Sequence, residues 1–243
     1  MKSLKEQFIW HVVGEAVKRA PAGQVPRIMD LGCGTASYVP SLMEKFPDFE
    51  YVGVEPIASS FAAAEENLAN IPSAKAHFQL AYDSVPDEKE NSFDLVFSLS
   101  VLEHVKHLDS FISLSAKYVK TGGLLVHRYD LGHALHTHSL KEKLHVFLGN
   151  YIPNVLPERQ FVRYVPEPEV RVLYEKNNLK PIDTTYHQAP NHKHFEKFFK
   201  DSDTTAVDDL FAWEMKYQSE FKTLPVVERE KLFPAVAVWG EKR

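Results

Sequence analysis

The first 131 residues alternate short apolar segments with segments of helical periodicity. The apolar, β-branched segments predict strands at 27–32, 51–55, 76–82, 93–100 and 122–131, and the segments between them predict helices at 37–46, 57–70 and 107–120. This alternation is typical of right-handed βαβ units, whose parallel strands are buried on both faces. We therefore expect an α/β fold built on a parallel sheet.

The flanking segments predict further helices and two more strands. Apolar residues at three- and four-residue steps predict an amphipathic helix at 3–20, which Pro21 and Gly23 end. After residue 131 the pattern predicts helices at 139–150 and 167–178, a loop at 151–168, a strand at 179–188, a largely helical stretch at 191–233 and a closing strand at 234–240. No segment reads as an interdomain linker, so we expect one domain over residues 1–243.

Composition excludes several classes of protein. A chain of 243 residues with 44% hydrophobic residues can bury a core, which excludes overall disorder. A net charge of −5 supplies no global field for nucleic acid or an acidic membrane surface. The N-terminal residues have neither a signal-peptide pattern nor a span of about 20 apolar residues. With one cysteine, these features predict a cytoplasmic protein without nucleic-acid or membrane partners.

A glycine-rich turn follows the first predicted strand, in IMDLGCGTAS. Gly32 and Gly34 allow positive φ and close approach of a ligand, and the following helix offers free N–H groups. A tight turn without a ligand would show the same pattern. Glu55, at the end of the second strand and 21 residues beyond Gly34, stands where a carboxylate accepts hydrogens from ribose hydroxyls. The alternative role for Glu55 is an acid at a helix N-terminus, just before Pro56.

Four motifs occur in order: DLGCGT at 30–35, VGVEP at 52–56, FDLVFSLSVLEHV at 93–105 and TGGLLV at 121–126. Together they resemble the class I S-adenosylmethionine-dependent methyltransferases over about residues 25–131. The resemblance implies a doubly wound, mostly parallel seven-stranded sheet of the Rossmann-like methyltransferase type, with helical insertions after strand five and between strands six and seven. It also divides the domain into a cofactor-binding half, 25–131, and an acceptor-side half, 132–243, which includes the helical insertion 188–233.

The resemblance implies S-adenosyl-L-methionine as the cofactor. It assigns the methionine part of that cofactor to the loop after the first strand, and it places the end of the fourth strand beside the same part. The residues at these positions are Asp30, Gly32, Cys33, Gly34 and Ser98.

The same resemblance assigns Glu55 to the ribose. Family members often have an aspartate in the loop after the third strand, but Ala81 occupies that position here. Two neighbours could take its place: Tyr82 could cover the purine face, or Asp83 could substitute for the carboxylate.

Candidate catalytic residues follow strands four and five, where doubly wound sheets bind ligands. His104 is either a base near the reactive end of the cofactor or a residue that caps or packs locally. The polar run from His127 breaks an apolar strand at its carboxyl end, which favours a site. Strand alternation places His127 and Tyr129 on one face and Arg128 and Asp130 on the other. The candidates are His104, His127, Arg128, Asp130 and His133.

Eight of the twelve histidines lie between residues 127 and 194. The H-x-H pairs at 136–138 and 192–194 lack the i, i+4 spacing of helical zinc ligands, and the chain offers no cysteine cluster. We therefore predict no metal. The aromatic-rich insertion 188–233 predicts core packing or a surface for a lid or homodimer contact.

These features predict a methyltransferase for a small-molecule or carbohydrate-like (glycan) acceptor, with methylation on oxygen. Methylation on oxygen is inferred by exclusion. The N-P-P-Y or D-P-P-Y sequence that is typical of amino-group methylation of bases does not follow strand four. Two alternatives stay open. One is a non-catalytic S-adenosylmethionine-binding scaffold or regulatory protein; the other is a nicotinamide-dependent oxidoreductase, although Ser37 stands where that fold has its third glycine.

Overall fold

The computed structural model describes residues 3–80, 82–136, 139–152, 161–189 and 205–243. Within these ranges the strands form one seven-stranded sheet. In chain order, β1 to β7 are Arg27–Leu31, Glu50–Glu55, Ala74–Phe78, Phe93–Leu99, Val119–Asp130, Leu179–His187 and Ala235–Lys242.

The strand order is β3-β2-β1-β4-β5-β7-β6. Strand β7 runs antiparallel to both β5 and β6, and the remaining neighbours pair in parallel. This confirms the predicted doubly wound, mostly parallel sheet closed by an antiparallel pair. The order reverses between β1 and β4, which is the position at which doubly wound sheets open a crevice for ligands.

Helices precede and separate the strands, with insertions after β5 and between β6 and β7, as predicted. In chain order, α1 to α10 of the described residues are Leu4–Arg19, Val39–Lys45, Ala58–Leu68, Leu108–Tyr118, Gly132–Leu135, Leu140–Tyr151, Glu167–Lys176, Ala206–Lys216, Gln218–Thr223 and Val226–Leu232, and a 3-10 turn spans Leu102–His104. Residues 190–204 of the predicted insertion lie outside the described residues.

Two strand boundaries differ from the sequence prediction by three residues or more. Strand β3 ends at Phe78, because its neighbour β2 ends at the paired residue Glu55 and no strand continues beyond it. Strand β5 begins at Val119 rather than at 122, because Val119 pairs with Phe93 across a register shift. Both differences depend on the neighbouring strand, which local periodicity does not contain.

Helices cover both faces of the sheet. On one face, α1 buries Val12 and Val13 in a cluster with Phe97 and Trp239. On the other, α4 and α7 bury residues such as Ile112 beside the sheet. The helices therefore leave the ends of the strands as the part of the sheet that a ligand can reach. No helix in the described ranges is both long and apolar enough to span a membrane.

Candidate active site

The turn after β1 is bonded tightly to the end of β2. Gly32 N and Cys33 N both donate to the Val54 carbonyl, at 2.7 and 3.1 Å. Gly32 has φ of +84°, and a Cβ there would lie 2.6 Å from Cγ2 of Val101. Gly34 has φ of +59°. Glycine is thus required at position 32 by both conformation and space.

A cleft of about 350 Å³ borders this turn, and we call it the first cleft. The predicted loop residues Asp30, Gly32, Cys33 and Gly34 all line it. Burial raises the pKa of the Cys33 thiol, so this side chain is a small neutral wall of the cleft. The remaining lining residues are Ser3, which caps α1, then Lys5, Glu6 and Ile9 of α1, residues 35–38, and Leu99.

Asp30 is a buried acid at the wall of the first cleft. Its Oδ2 accepts hydrogen bonds from the hydroxyls of Tyr38 and Tyr51, the second at 3.3 Å. Its Oδ1 has no hydrogen-bond partner among the described residues. Burial raises the pKa of Asp30 to about 7, and the hydrogen bond from Tyr38 opposes that rise. Asp30 therefore has one oxygen available for a polar ligand group.

Glu55 ends β2 with its carboxylate held by two backbone groups. Oε2 accepts from Gly34 N at 2.8 Å, and Oε1 accepts from Ile57 N at 3.0 Å. Ile57 is the residue that precedes α3, so the helix-start role considered for Glu55 is present in the structure. A carboxylate has about four lone-pair positions, so two remain available for ligand hydroxyls.

A second, apolar cleft also borders Gly32. Asp83 lines it together with Gln79, whereas Tyr82 is not among its lining residues. The Tyr82 hydroxyl instead accepts hydrogen bonds from the backbone of Lys106 and His107. Of the two predicted adenine contacts, the structure therefore brings Asp83 to this cleft. Ala81 lies outside the described residues.

Ser98 and His127 lie side by side inside the sheet. Ser98 Oγ and His127 Nδ1 share a hydrogen bond of 2.7 Å, and both side chains are buried. The His127 ring contacts Phe111 and Tyr174, which belong to α4 and α7. Burial lowers the pKa of His127 to about 3. The structure thus places both residues in the core rather than among the lining residues of either cleft.

Arg128 and Asp130 lie on the opposite face of β5 from His127, as strand alternation predicts. The Arg128 guanidinium lies 5.4 Å from the Phe8 ring of α1. Asp130 Oδ1 accepts from Gly132 N at 2.7 Å, and its Oδ2 lies 3.9 Å from His133 Nε2. Asp130 therefore joins His133 at the end of the strand, whereas Arg128 is buried against α1.

One ring nitrogen of His104 takes part in a hydrogen bond. Its Nδ1 donates to the Phe161 carbonyl at 3.0 Å, which leaves Nε2 as the nitrogen with a lone pair. Burial lowers the pKa of His104, and the hydrogen bond to Phe161 opposes that shift. His104 is thus a neutral imidazole with a fixed tautomer, beside the His133 ring at 5.5 Å.

Glu103 is a buried acid that the sequence reading did not include among the site residues. Oε1 accepts from Asp130 N at 3.2 Å, and Oε2 has no partner among the described residues. Burial raises the pKa of Glu103 to about 8. Donor atoms of Glu103, His104 and His133 lie within 4.8 Å of one another, which is a donor set that a divalent cation could use.

Lys5 is the second residue that sequence reasoning missed. It lines the first cleft from α1, and desolvation lowers its pKa, while the charges of Asp30, Glu103 and Asp130 oppose that shift. The helical periodicity predicts α1. It does not indicate which strand ends the first turn of this helix packs against.

Comparison with known proteins identifies a matching family model and several relatives. A family model described as a methyltransferase domain matches residues 29–125. The ubiquinone biosynthesis O-methyltransferase of Nitrobacter winogradskyi is 28% identical over 160 residues, covering 63% of this chain and 56% of the relative. The mitochondrial protein of the same name from Mus musculus is 29% identical over 162 residues, covering 63% and 41%. The chain thus spans about half the length of these relatives.

The matched residues 29–125 include all but the last residue of the motifs on which the resemblance to the class I S-adenosylmethionine-dependent methyltransferases rests. Among solved structures, this chain is similar to phosphoethanolamine N-methyltransferase 2 of Haemonchus contortus in complex with S-adenosyl-L-methionine. The TM-score is 0.62 at 17% identity, over 96% of this chain and 52% of that one. It is also similar to geranyl diphosphate C-methyltransferase of Streptomyces coelicolor A3(2), with a TM-score of 0.58 at 13% identity, over 95% and 77%. These similarities show the fold. The names of the two solved structures include both N- and C-methylation.

The raised pKa of Asp30 predicts a distinct pH dependence of the protein's stability. Between about pH 4 and 7 the folded protein keeps a proton on Asp30 that the unfolded chain releases, so this contribution to stability is lost as the pH rises. The variant Asp30→Asn has no such proton. Its free energy of unfolding relative to the wild type is expected to rise by about 1–4 kcal/mol from pH 4 to pH 8.

Urea denaturation across this pH range measures the difference. The matched control is Asp48→Asn, at an exposed aspartate, for which a constant difference is expected. A constant difference for Asp30→Asn as well would show that Asp30 is ionised in the folded protein.

Proposed function

We propose that this protein transfers a methyl group from S-adenosylmethionine to an oxygen atom of a small-molecule acceptor. The observation that carries the proposal is the position of Glu55. The Glu55 carboxylate accepts a hydrogen bond from Gly34, which lines the first cleft. The chain neighbours of Glu55, Val54 and Pro56, line the second cleft. A carboxylate between a polar and an apolar cleft suits a ribose between a methionine part and an adenine.

The residues of the two clefts fit the parts of this cofactor. In the first cleft, Asp30 Oδ1 lacks a hydrogen-bond partner among the described residues and would accept from the methionine ammonium group. The Lys5 ammonium lines the same cleft and would pair with the methionine carboxylate. The second cleft is walled by apolar side chains such as Val54 and Val85, and it would hold the adenine.

S-adenosylmethionine, when bound, supplies a methyl group that is attached to a sulfonium sulfur. When the methyl group is transferred, the rest of the cofactor leaves as a neutral thioether. The task of the chain is to hold the acceptor in line, exclude water and accept the acceptor's proton. His104 suits the last role, because the Phe161 carbonyl holds hydrogen on Nδ1 and leaves the Nε2 lone pair for a hydroxyl proton. The lowered pKa of His104 keeps the ring neutral before that transfer.

Oxygen is favoured as the acceptor atom by the names of the sequence relatives. Both relatives described above are O-methyltransferases, and the similarity to each covers 63% of this chain. A neutral imidazole is also the group that a hydroxyl acceptor needs. The carbohydrate-like acceptor, self-association through 188–233 and a cytoplasmic location remain predictions.

The first test concerns the ribose contact. Glu55→Ala is expected to weaken binding of S-adenosylhomocysteine by about 1–3 kcal/mol, because two hydroxyl donors would lose their acceptor. Isothermal titration calorimetry measures the affinity. Glu50→Gln, at the exposed start of the same strand, is the control and should bind as the wild type does. Equal affinities for wild type and Glu55→Ala would reduce Glu55 to its role at the start of α3.

The second test concerns proton transfer. Release of S-adenosylhomocysteine is measured over a panel of phenolic, sugar-hydroxyl, carboxyl and amine acceptors. With a hydroxyl acceptor, His104→Gln is expected to lower kcat by about 10²–10⁴-fold, the range typical of a lost general base, with unchanged cofactor affinity. The exposed neighbour His107→Gln is the matched control.

The same assay is run with EDTA to separate a base from a cation ligand. Activity that survives EDTA but not His104→Gln supports the base. Activity abolished by EDTA, or unchanged in His104→Gln, contradicts that role. Turnover confined to amine acceptors would contradict O-methylation.

A further inference from the structure

Helix α6 exposes a continuous apolar stripe, formed by Leu140, Leu144, Phe147 and Tyr151. These side chains are 86, 55, 51 and 73% exposed. They follow one another at steps of four, three and four residues, so they share one face of the helix. The stripe covers about 60° of the helix circumference and is about 16 Å long.

The rest of the chain holds α6 by the opposite face. Gly149 is the buried residue of the helix and lies on the side facing away from the stripe. A Cβ on Gly149 would meet the Val162 carbonyl oxygen at 2.0 Å, so the helix backbone packs directly on this segment. Asn150 adds a hydrogen bond, accepting from Tyr164 N at 3.0 Å. The stripe therefore faces outward as a consequence of how α6 packs.

The charges of α6 are sorted around the stripe. Lys141 and Lys143 are exposed and flank the stripe on its two sides. Glu142, the only acid of the helix, lies on the far side, where its carboxylate accepts from Ser139 N at 2.9 Å in a capping box. Although the chain carries a net charge of −5, this face offers two cations and an apolar surface.

We propose that α6 docks on an anionic lipid surface, although the overall charge of the chain predicts no membrane partner. The stripe would enter the boundary between headgroups and acyl chains, and the two lysines would lie level with the phosphates. Helices of this kind bind bilayers through a buried apolar face and basic residues beside it. The charges favour this occupant over a second copy of the chain, because two copies would bring four lysines together. A stable dimer also needs about 20–30 residues a side, far more than one stripe.

Vesicle co-sedimentation of the full chain tests the docking without any cofactor or turnover, so its outcome is separate from that of the proposed reaction. Vesicles are made of phosphatidylcholine alone or of equal parts of phosphatidylcholine and phosphatidylglycerol. The wild type is expected to bind the mixed vesicles preferentially. The double variant Leu144→Glu/Phe147→Glu should bind at least about tenfold more weakly, because two apolar side chains are lost.

The matched control is Val172→Glu on α7, because Val172 is 51% exposed, as Phe147 is, but has acidic residues on its own helix. It should bind as the wild type does. Lys141→Gln/Lys143→Gln should reduce binding to the mixed vesicles and leave binding to phosphatidylcholine unchanged. Circular dichroism checks that each variant folds, and the single variant Leu140→Glu, at the most exposed position, replaces the double variant if that one does not.

Three results would overturn the proposal. The first is absence of wild-type binding to mixed vesicles. The second is equal weakening by Val172→Glu, which would make the effect one of net charge. The third is a dimer in sedimentation equilibrium that Leu144→Glu/Phe147→Glu dissociates, which would assign the stripe to a second copy.

Discussion

The site depends on the backbone contact between the turn after β1 and the end of β2. Val54 O accepts from two consecutive N–H groups of the turn, and the Glu55 carboxylate accepts from Gly34, the second glycine of the turn. Gly32 lines both clefts, and a side chain there would collide with Val101. One close contact between neighbouring strand ends thus lies beside both a polar and an apolar cleft, and it holds the Glu55 carboxylate in place.

The candidate site contains buried titratable groups that are held near neutrality. Burial raises the pKa values of Asp30 and Glu103 and lowers that of His104. A low local dielectric strengthens interactions with a charged ligand, and it also makes unpaired polar atoms costly in the free protein. Asp30 Oδ1 and Glu103 Oε2 lack hydrogen-bond partners in the described part of the chain, so ligand binding would relieve part of that cost.

Much of this architecture could be predicted from local sequence, and the failures share one cause. The alternation of strands and helices predicts the sheet, and the spacing of Glu55 from Gly34 predicts a ligand-binding carboxylate at the end of β2. His127 interrupts an apolar strand and therefore resembles a site residue, but its partner Ser98 lies on the neighbouring strand. Lys5 reaches the strand ends only through the packing of α1, and β3 ends where its partner ends. Each of these outcomes depends on contacts between segments far apart in the chain.

A crystal structure with S-adenosylhomocysteine tests most directly whether Glu55 joins two halves of one cofactor site. Both ribose hydroxyls are expected within hydrogen-bond distance of the Glu55 carboxylate. The adenine is expected beside Asp83, and the methionine ammonium group on Asp30. A ligand bound elsewhere, with Glu55 bonded to Gly34 and Ile57 alone, would contradict this role of Glu55.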